Sequence, residues 1–231
     1  MGAAVYGRAS CVVERSFMPL PLSRSLCLLL LAGLAGCATK GVCPPGTRTT
    51  LPERSDWHNV ITDPDHVRLR AWRQAFVDAL TKARASGQGA RIDAEGPLLD
   101  PDVAMDDAMP PVGFYHCRVI KLGAKGYGRP DFIAVPAHRC QVRPSNGLFK
   151  LVVLDGVQRP SGRLYVDGPS RVVFLGTMIL SDEMKPIAYG RDADRDMVGA
   201  MQHIGDKRWR LLLPNPAWEA NMDVMELTPA S

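Results

Sequence analysis

The chain has 231 residues, 46% of them hydrophobic and 23% charged, and a formal net charge of +4. This length and apolar content suit one domain with a sizeable core. The charge is small and no cluster of Lys and Arg is present, so the composition excludes a typical nucleic-acid-binding protein.

A short apolar run near the start predicts export. Arg24 precedes Leu26–Gly33, and the small residues Leu34-Ala35-Gly36 then lead to Cys37. Counted up to Gly36, the run has about 11 residues, which is too short for a membrane-spanning helix, since that needs about 20. This order is typical of a secretory signal, and it resembles the lipobox of bacterial lipoproteins. The resemblance implies cleavage before Cys37 and a diacylglycerol on its sulfur; a plain signal peptide is the alternative.

The same resemblance predicts where the protein is found. Ala38, rather than Asp, follows the cysteine, which by analogy with lipoproteins directs the chain to the outer membrane, facing the periplasm of a bacterial envelope. We therefore expect a signal peptide over residues 1–36, with Met18 as an alternative start. A lipidated tether over 37–55 and a single domain over 56–231 should follow.

One amphipathic helix is predicted at the start of this domain. Thr62-Asp63-Pro64-Asp65 has the features of a helix start: a capping side chain, Pro in the first turn and acid near the positive end of the dipole. Apolar residues then recur at the helical period up to about Ala85. Trp72 and Phe76 on this stripe are expected to be core residues.

After Pro111 the apolar period changes to two, which predicts strands joined by tight turns such as Asn146-Gly147 and Asp155-Gly156. About eight such strands predict an α+β fold, mostly antiparallel β, in which the N-terminal helix packs on a barrel or sandwich. Arg171–Leu180 is apolar on both faces, so we expect the helix to cover its outer face. Trp209 is expected to plug one end. The predicted strands are Gly113–Leu122, Phe132–Val135, Arg139–Arg143, Phe149–Leu154, Gly162–Val166, Arg171–Leu180, Met197–Ile204, Lys207–Leu213 and Val224–Leu227.

Four cysteines follow the signal segment. Lipid would occupy Cys37, and Cys43 lies in the predicted tether, which leaves Cys117 and Cys140 to form a disulfide in an oxidising compartment. A zinc site that adds His116 and His138 to this pair is the alternative. It is disfavoured because neighbours on a strand point to opposite faces.

The sequence contains no strong catalytic or cofactor motif. Asp192, Asp194 and Asp196 have the spacing of a calcium loop, but Met197 stands where that loop needs Gly. No Gly-x-Ser-x-Gly or His-Glu-x-x-His motif occurs, and no helix follows the Gly-rich loop 123–128 to bind phosphate. We therefore predict no metal and no cofactor.

One polar and aromatic set could form a binding rim if it converged at one end of the β body. Such a rim would suit an anion or a peptide, whereas scattered surface arginines are the alternative. The candidate residues are Arg159, Arg163, Tyr165, Arg171, Tyr189 and Arg191.

Several segments of the β region resemble a family of exported bacterial proteins that is catalogued only as a domain of unknown function. The segments are Phe114–Gly123, Cys140, Gly156–Tyr165, Arg171–Gly176 and Lys207–Leu211. The resemblance covers about residues 56–229 and supports the Cys117–Cys140 pairing, but it implies no activity and no catalytic residue.

Two functional hypotheses follow. The first is a lipid-anchored, non-catalytic barrel that binds an envelope protein or a small ligand, or has a structural role. In plan it is similar to small lipoprotein barrels that inhibit proteases. The second is an envelope hydrolase that uses Asp and His residues. An interior filled by Phe174, Trp209 and Leu211 favours the first, whereas an open pocket with convergent His, Asp or Arg favours the second.

Overall fold

The computed structural model describes residues 56–230. The signal segment, the lipobox with Cys37, and the tether with Cys43 lie outside these residues. Within the described range, no helix is both long and apolar enough to span a membrane.

Eight antiparallel strands form a closed barrel in sequence order, and β1 pairs with β8 to complete it. Of the two predicted architectures, this confirms the barrel and excludes the sandwich. Closure pairs every strand with two neighbours, so no edge strand is left over. The strands are β1 Gly113–Ala124, β2 Phe132–Ser145, β3 Leu148–Val153, β4 Gln158–Val166, β5 Val172–Leu180, β6 Asp196–Gly205, β7 Arg208–Pro214 and β8 Ala220–Pro229.

The predicted tight turns connect the strands as expected, but β2 differs from the prediction. Asn146 and Gly147 both have positive φ, 50° and 77°, which is the conformation of the shortest hairpin turn between β2 and β3. Residues 132–135 and 139–143, predicted as two strands, belong to one strand. The pairing register of β1 and β2 shifts between Cys117 and Val119. The alternation of apolar residues in β2 is therefore interrupted by a bulge-like irregularity, and not by a turn.

The predicted single helix is two helices, followed by a third. α1 spans Asp63–Arg70, α2 spans Trp72–Ala83 and α3 spans Gly89–Ala94, all before β1 in the chain. Thr62 caps α1, as expected, by accepting a hydrogen bond from the Asp65 N–H. The break at Ala71 lets the two helices pack on different parts of the barrel wall.

Alternate residues of each strand form an inner and an outer core. Outside, α2 packs through Phe76 on β1, β7 and β8, and α1 packs through Leu69 on β5 and β6. Val173 and Leu175 are therefore covered from outside, as predicted for this doubly apolar strand. Inside, apolar side chains from all eight strands form one cluster.

The barrel end at which β1 begins is closed, and we call it the closed end. Trp209 points inward there, stacks on His203 at a ring-centroid distance of 5.0 Å and meets Tyr115 edge-on. The segment 105–109 crosses this end: Met105 pairs with His203, and Ala108 is buried in the interior cluster. Trp209 thus has the plug role predicted for it.

Arg210, on the outer face of β7, is completely buried beneath the segment that leads from α3 to the barrel. Its guanidinium donates to four backbone carbonyls, those of Pro97, Leu98, Asp100 and Val103, at 2.6–3.1 Å. Nε donates to the Gln202 side chain at 2.9 Å. Burial lowers the pKa of Arg210 to about 10, so it is still charged at neutral pH.

Two facing glycines allow β4 and β5 to pack closely. Gly162 and Gly176 are directly paired, and the Phe174 ring lies against both. A Cβ at Gly176 would lie 2.6 Å from the Cα of Gly162 and 2.6 Å from the Phe174 ring. Backbone on one side and a buried ring on the other leave little room for relaxation.

Gly176→Ala is expected to lower the free energy of unfolding by about 1–3 kcal/mol, because the added methyl overpacks the barrel. Denaturant unfolding followed by circular dichroism measures this. Gly113→Ala is the matched control, since the nearest atom to its added Cβ is 3.9 Å away. Equal stability of the two variants would contradict the close packing of β4 and β5.

Candidate functional site

The barrel interior contains a cavity of about 270 Å³. It reaches the end opposite the closed end, because Val157 and Glu219 in its lining belong to the loops that precede β4 and β8. The lining is mostly apolar, with a polar group on one side. The lining residues are Cys117, Val119, Lys121, Ile133, Val135, His138, Val153, Val157, Gln158, Pro160, Met178, Glu219, Asp223 and Met225.

The polar side of the cavity is built around Lys121. Barrel closure places it directly opposite Asp223, since the two residues pair between β1 and β8. The Lys121 ammonium lies 3.1 Å from Asp223 Oδ2, 2.9 Å from Glu219 Oε2 and 3.2 Å from Gln158 Oε1. Gln158 also donates to Glu219 at 3.2 Å. We call these four residues the lysine cluster.

The charges of the lysine cluster are set by burial and by one another. Burial opposes the charged form of Lys121, but Asp223 and Glu219 outweigh it and raise its pKa. Lys121 in turn lowers the pKa of Glu219. Burial raises the pKa of Asp223 despite Lys121. Asp223 Oδ1 is buried and has no hydrogen-bond partner in the protein.

The barrel wall is incomplete beside this cavity. β3 pairs with β2 only from Cys140 to Ser145, so the first half of β2 is paired on one side alone. Ile133, Val135 and His138 of this half line the cavity. The His138 ring is held by Asp155 at 3.0 Å, in the turn between β3 and β4. Strand pairing therefore does not enclose the cavity beside this half of β2.

The lining contains His138, Glu219 and Asp223, but the His138 ring pairs with Asp155 and both carboxylates contact Lys121. The lining includes no Ser or Thr hydroxyl, Cys117 is oxidised, and Lys121 is held as an ammonium, which is not nucleophilic. Over residues 56–230 no group of three or more His, Cys, Asp or Glu side chains could hold a metal ion. Lys121 and Asp223 could hold a polar group in place at the end of an apolar pocket.

The six residues of the predicted rim do not converge at one barrel end. Arg171 is at the closed end, where it pairs with Asp167. Arg159 is at the opposite end and donates to the carbonyls of Ser181 and Glu183, both at 2.6 Å. Tyr165 is buried on the outer wall, against Trp57 and Val173.

The remaining rim residues have other surroundings. Tyr189, in the loop between β5 and β6, donates to Asp65 at 2.6 Å and so fixes that loop to α1. Arg191 is exposed in the same loop. Arg163 lies on the outer wall. The six residues are spread out because side chains close in sequence alternate between the two faces and the two ends of the barrel.

Arg163 belongs instead to a row of three cations on the outer face of β2, β3 and β4. Arg143, Lys150 and Arg163 are direct neighbours across β2, β3 and β4. Burial and the two flanking arginines lower the pKa of Lys150. Like charges placed directly opposite each other destabilise a sheet.

Lys150→Glu should therefore raise the free energy of unfolding by about 0.5–1 kcal/mol, because it turns two repulsive pairs into attractive ones. Denaturant unfolding at low and high salt measures this, and the gain should shrink as salt screens the charges. Lys207→Glu, the same exchange in an exposed turn, is the control. Destabilisation by Lys150→Glu would refute the cation row.

The predicted disulfide is present between Cys117 and Cys140, whose Cα atoms are 5.9 Å apart. The zinc alternative is thereby excluded for this pair, and His138 binds Asp155 instead.

The segment Asp192–Asp196, which has the acidic spacing of a calcium loop, forms a turn. Asp196 accepts hydrogen bonds from the Gly190 N–H at 2.9 and 3.1 Å, and the Asp194 N–H donates to the Asp192 side chain.

Sequence reasoning missed the lysine cluster, although part of its signal was present. Cys117, Val119 and Lys121 occupy alternate positions of β1, so a charge falls on the inward face of an otherwise apolar series. Asp223 does the same in β8. Their proximity depends on the pairing of the first strand with the last, which local patterns do not encode.

The family of the chain follows from residues 57–227. They match the family model described as Domain of unknown function (DUF4893). The chain belongs to this family. No curated protein and no solved structure matches the chain. In this DUF4893 domain, the barrel cavity and its lysine cluster are the features that indicate a function.

Proposed function

We propose that this protein is a lipid-anchored binding module of the bacterial envelope, whose barrel takes up a small ligand. The observation that carries the proposal is the cavity of about 270 Å³, apolar along most of its wall and polar at the lysine cluster. Ligand sites commonly combine apolar walls with a few placed polar groups in this way, and this volume suits a small molecule.

Binding of the neutral fluorescent probe N-phenyl-1-naphthylamine to the purified full chain tests the cavity. Val135→Phe, at a half-buried lining position, should fill the cavity and weaken probe binding about tenfold, as expected when an apolar contact surface is replaced by a steric block. Val166→Phe makes the same exchange at a position that is 69% exposed and outside the lining.

The binding proposal requires saturable fluorescence enhancement that Val135→Phe weakens and Val166→Phe leaves unchanged. It is overturned if the probe does not bind, or if both variants bind it like the original chain. Circular dichroism of both variants shows whether the barrel is intact.

The anchor rests on the sequence, where Leu34-Ala35-Gly36-Cys37 follows a short apolar run. Two or three acyl chains on Cys37 would hold the protein firmly, because each buried CH₂ contributes roughly 0.8 kcal/mol. Metabolic labelling with radioactive palmitate in a bacterial host should mark the protein. Cys37→Ser should abolish the label and Cys43→Ser should keep it. Label on the Cys37→Ser chain would refute the anchor.

A further inference from the structure

The Lys121 ammonium has no donor left for a ligand. A lysine ammonium has three N–H groups. Asp223 Oδ2, Glu219 Oε2 and Gln158 Oε1 lie within 2.9–3.2 Å of Nζ and can accept all three. An anionic group that entered the cavity would therefore have to displace a carboxylate that already binds Lys121.

Asp223 differs from Lys121, because one of its two carboxylate oxygens accepts no hydrogen bond within the protein. The residue is only 3% exposed and lines the cavity, and its Oδ1 is buried without a partner in the protein. A buried acceptor that lacks a donor costs free energy, and the cost is greater when the group carries charge. A ligand that brings a donor to Oδ1 recovers this free energy.

The cations around the cluster are unevenly distributed between its two carboxylates. Glu219 contacts two of them, because Lys121 lies 2.9 Å from its Oε2 and Arg129 lies 3.6 Å from its Oε1. Among the described residues, Lys121 alone lies within ion-pair distance of Asp223, and the Lys125 ammonium donates to the Pro216 carbonyl. Burial raises the pKa of Asp223, so its carboxylate is stabilised by any further positive charge that comes close.

We infer that the barrel cavity binds a small primary amine with an apolar body, whose ammonium donates to Asp223 while the body contacts the valine and methionine side chains of the wall. The inference rests on the proposed function, since it names the ligand class of the same cavity. Val119, Val153, Met178 and Met225 supply the apolar contacts.

Three ligands of equal chain length test the inference: octylamine, octan-1-ol and octanoate, each titrated against the probe-loaded full chain. A hydrogen bond to a charged group discriminates by about tenfold or more. Octylamine should therefore displace the probe at concentrations at least tenfold lower than octanoate, with octan-1-ol between them.

Asp223→Asn should reduce the affinity for octylamine about tenfold and change that for octan-1-ol much less, because the charge is lost while the shape is kept. Asp182→Asn, an exposed position outside the lining, gives the same change in net charge as a control. If Asp223→Asn fails to fold, the order of the three ligands on the original chain still decides.

Each outcome bears on one of the two proposals. Preferential binding of octylamine that is lost in Asp223→Asn supports the inference. Equal affinities for the three ligands, or tightest binding of octanoate, overturn the amine while the cavity remains a binding site. Absence of binding by the probe and by all three ligands overturns the proposed function as well.

Discussion

Replacing Arg210 by leucine should lower the free energy of unfolding by about 3–5 kcal/mol, the largest effect that we expect of any single substitution. The change removes a buried cation that binds four backbone carbonyls and Gln202. Those carbonyls would stay buried without donors, and each unmade bond of this kind costs about 1–3 kcal/mol before the segment relaxes. The segment 97–103 should then detach from the outer face of the barrel, where Arg210 of β7 holds it.

Denaturant unfolding gives the change in stability, and hydrogen exchange of residues 97–103 shows where it acts. Arg191→Leu removes an exposed arginine and should change stability by less than about 0.5 kcal/mol. Similar losses in the two variants would show that Arg210 does not hold this segment to the barrel.

Removing the Cys117–Cys140 disulfide should lower the free energy of unfolding by about 3 kcal/mol. The two residues are 23 positions apart. The chain-entropy model assigns about 3 kcal/mol to the closure of a loop of this size in the unfolded chain. The double variant Cys117→Ala/Cys140→Ala should therefore unfold at lower denaturant concentration than the original chain.

Reduction provides an independent measurement of the same bond. Dithiothreitol should destabilise the original chain by a similar amount and should leave the double variant unchanged. If the reductant shifts both proteins equally, or neither, then the bridge does not contribute to stability in solution.

The sequence predicted the local features of the fold well. Asn146-Gly147 and Asp155-Gly156 marked hairpins, because few other residues fit those turns, and the period of two marked the strands. The break at Ala71 could not be predicted. The break arises because Leu69 and Phe76 pack on different strands of the barrel, and these tertiary contacts are not visible in the local sequence.

The site was less accessible to prediction for the same reason. Lys121 and Asp223 are 102 residues apart and meet only where β1 pairs with β8. The residues of the predicted rim lie apart because proximity in sequence does not decide which face or end of a barrel a residue occupies: Tyr165 is buried outside, and Arg171 lies at the closed end. The choice between a filled and an open interior was also too simple. Trp209 plugs one end, and a cavity lies nearer the other.

A second pocket on the surface provides an alternative binding site against which the barrel cavity can be tested. A groove of about 590 Å³ lies on the outer surface between α2 and the turn that follows α3. Val77, Leu80 and Leu99 line it, and its charged residues include Arg84 and Asp93, which pair with each other at 2.6 Å. Arg84 and Asp93 thus neutralise each other in the groove, whereas Asp223 Oδ1 in the barrel has no hydrogen-bond partner in the protein.

The most direct test of the central claim is an NMR titration of the methyl-labelled full chain with N-phenyl-1-naphthylamine. We predict saturable chemical-shift changes at Val119, Val153 and Met225, which line the barrel cavity, and none at Val77 or Leu80. Shifts confined to Val77 and Leu80, or no saturable shift at any methyl, would contradict the account that the barrel interior is the ligand site.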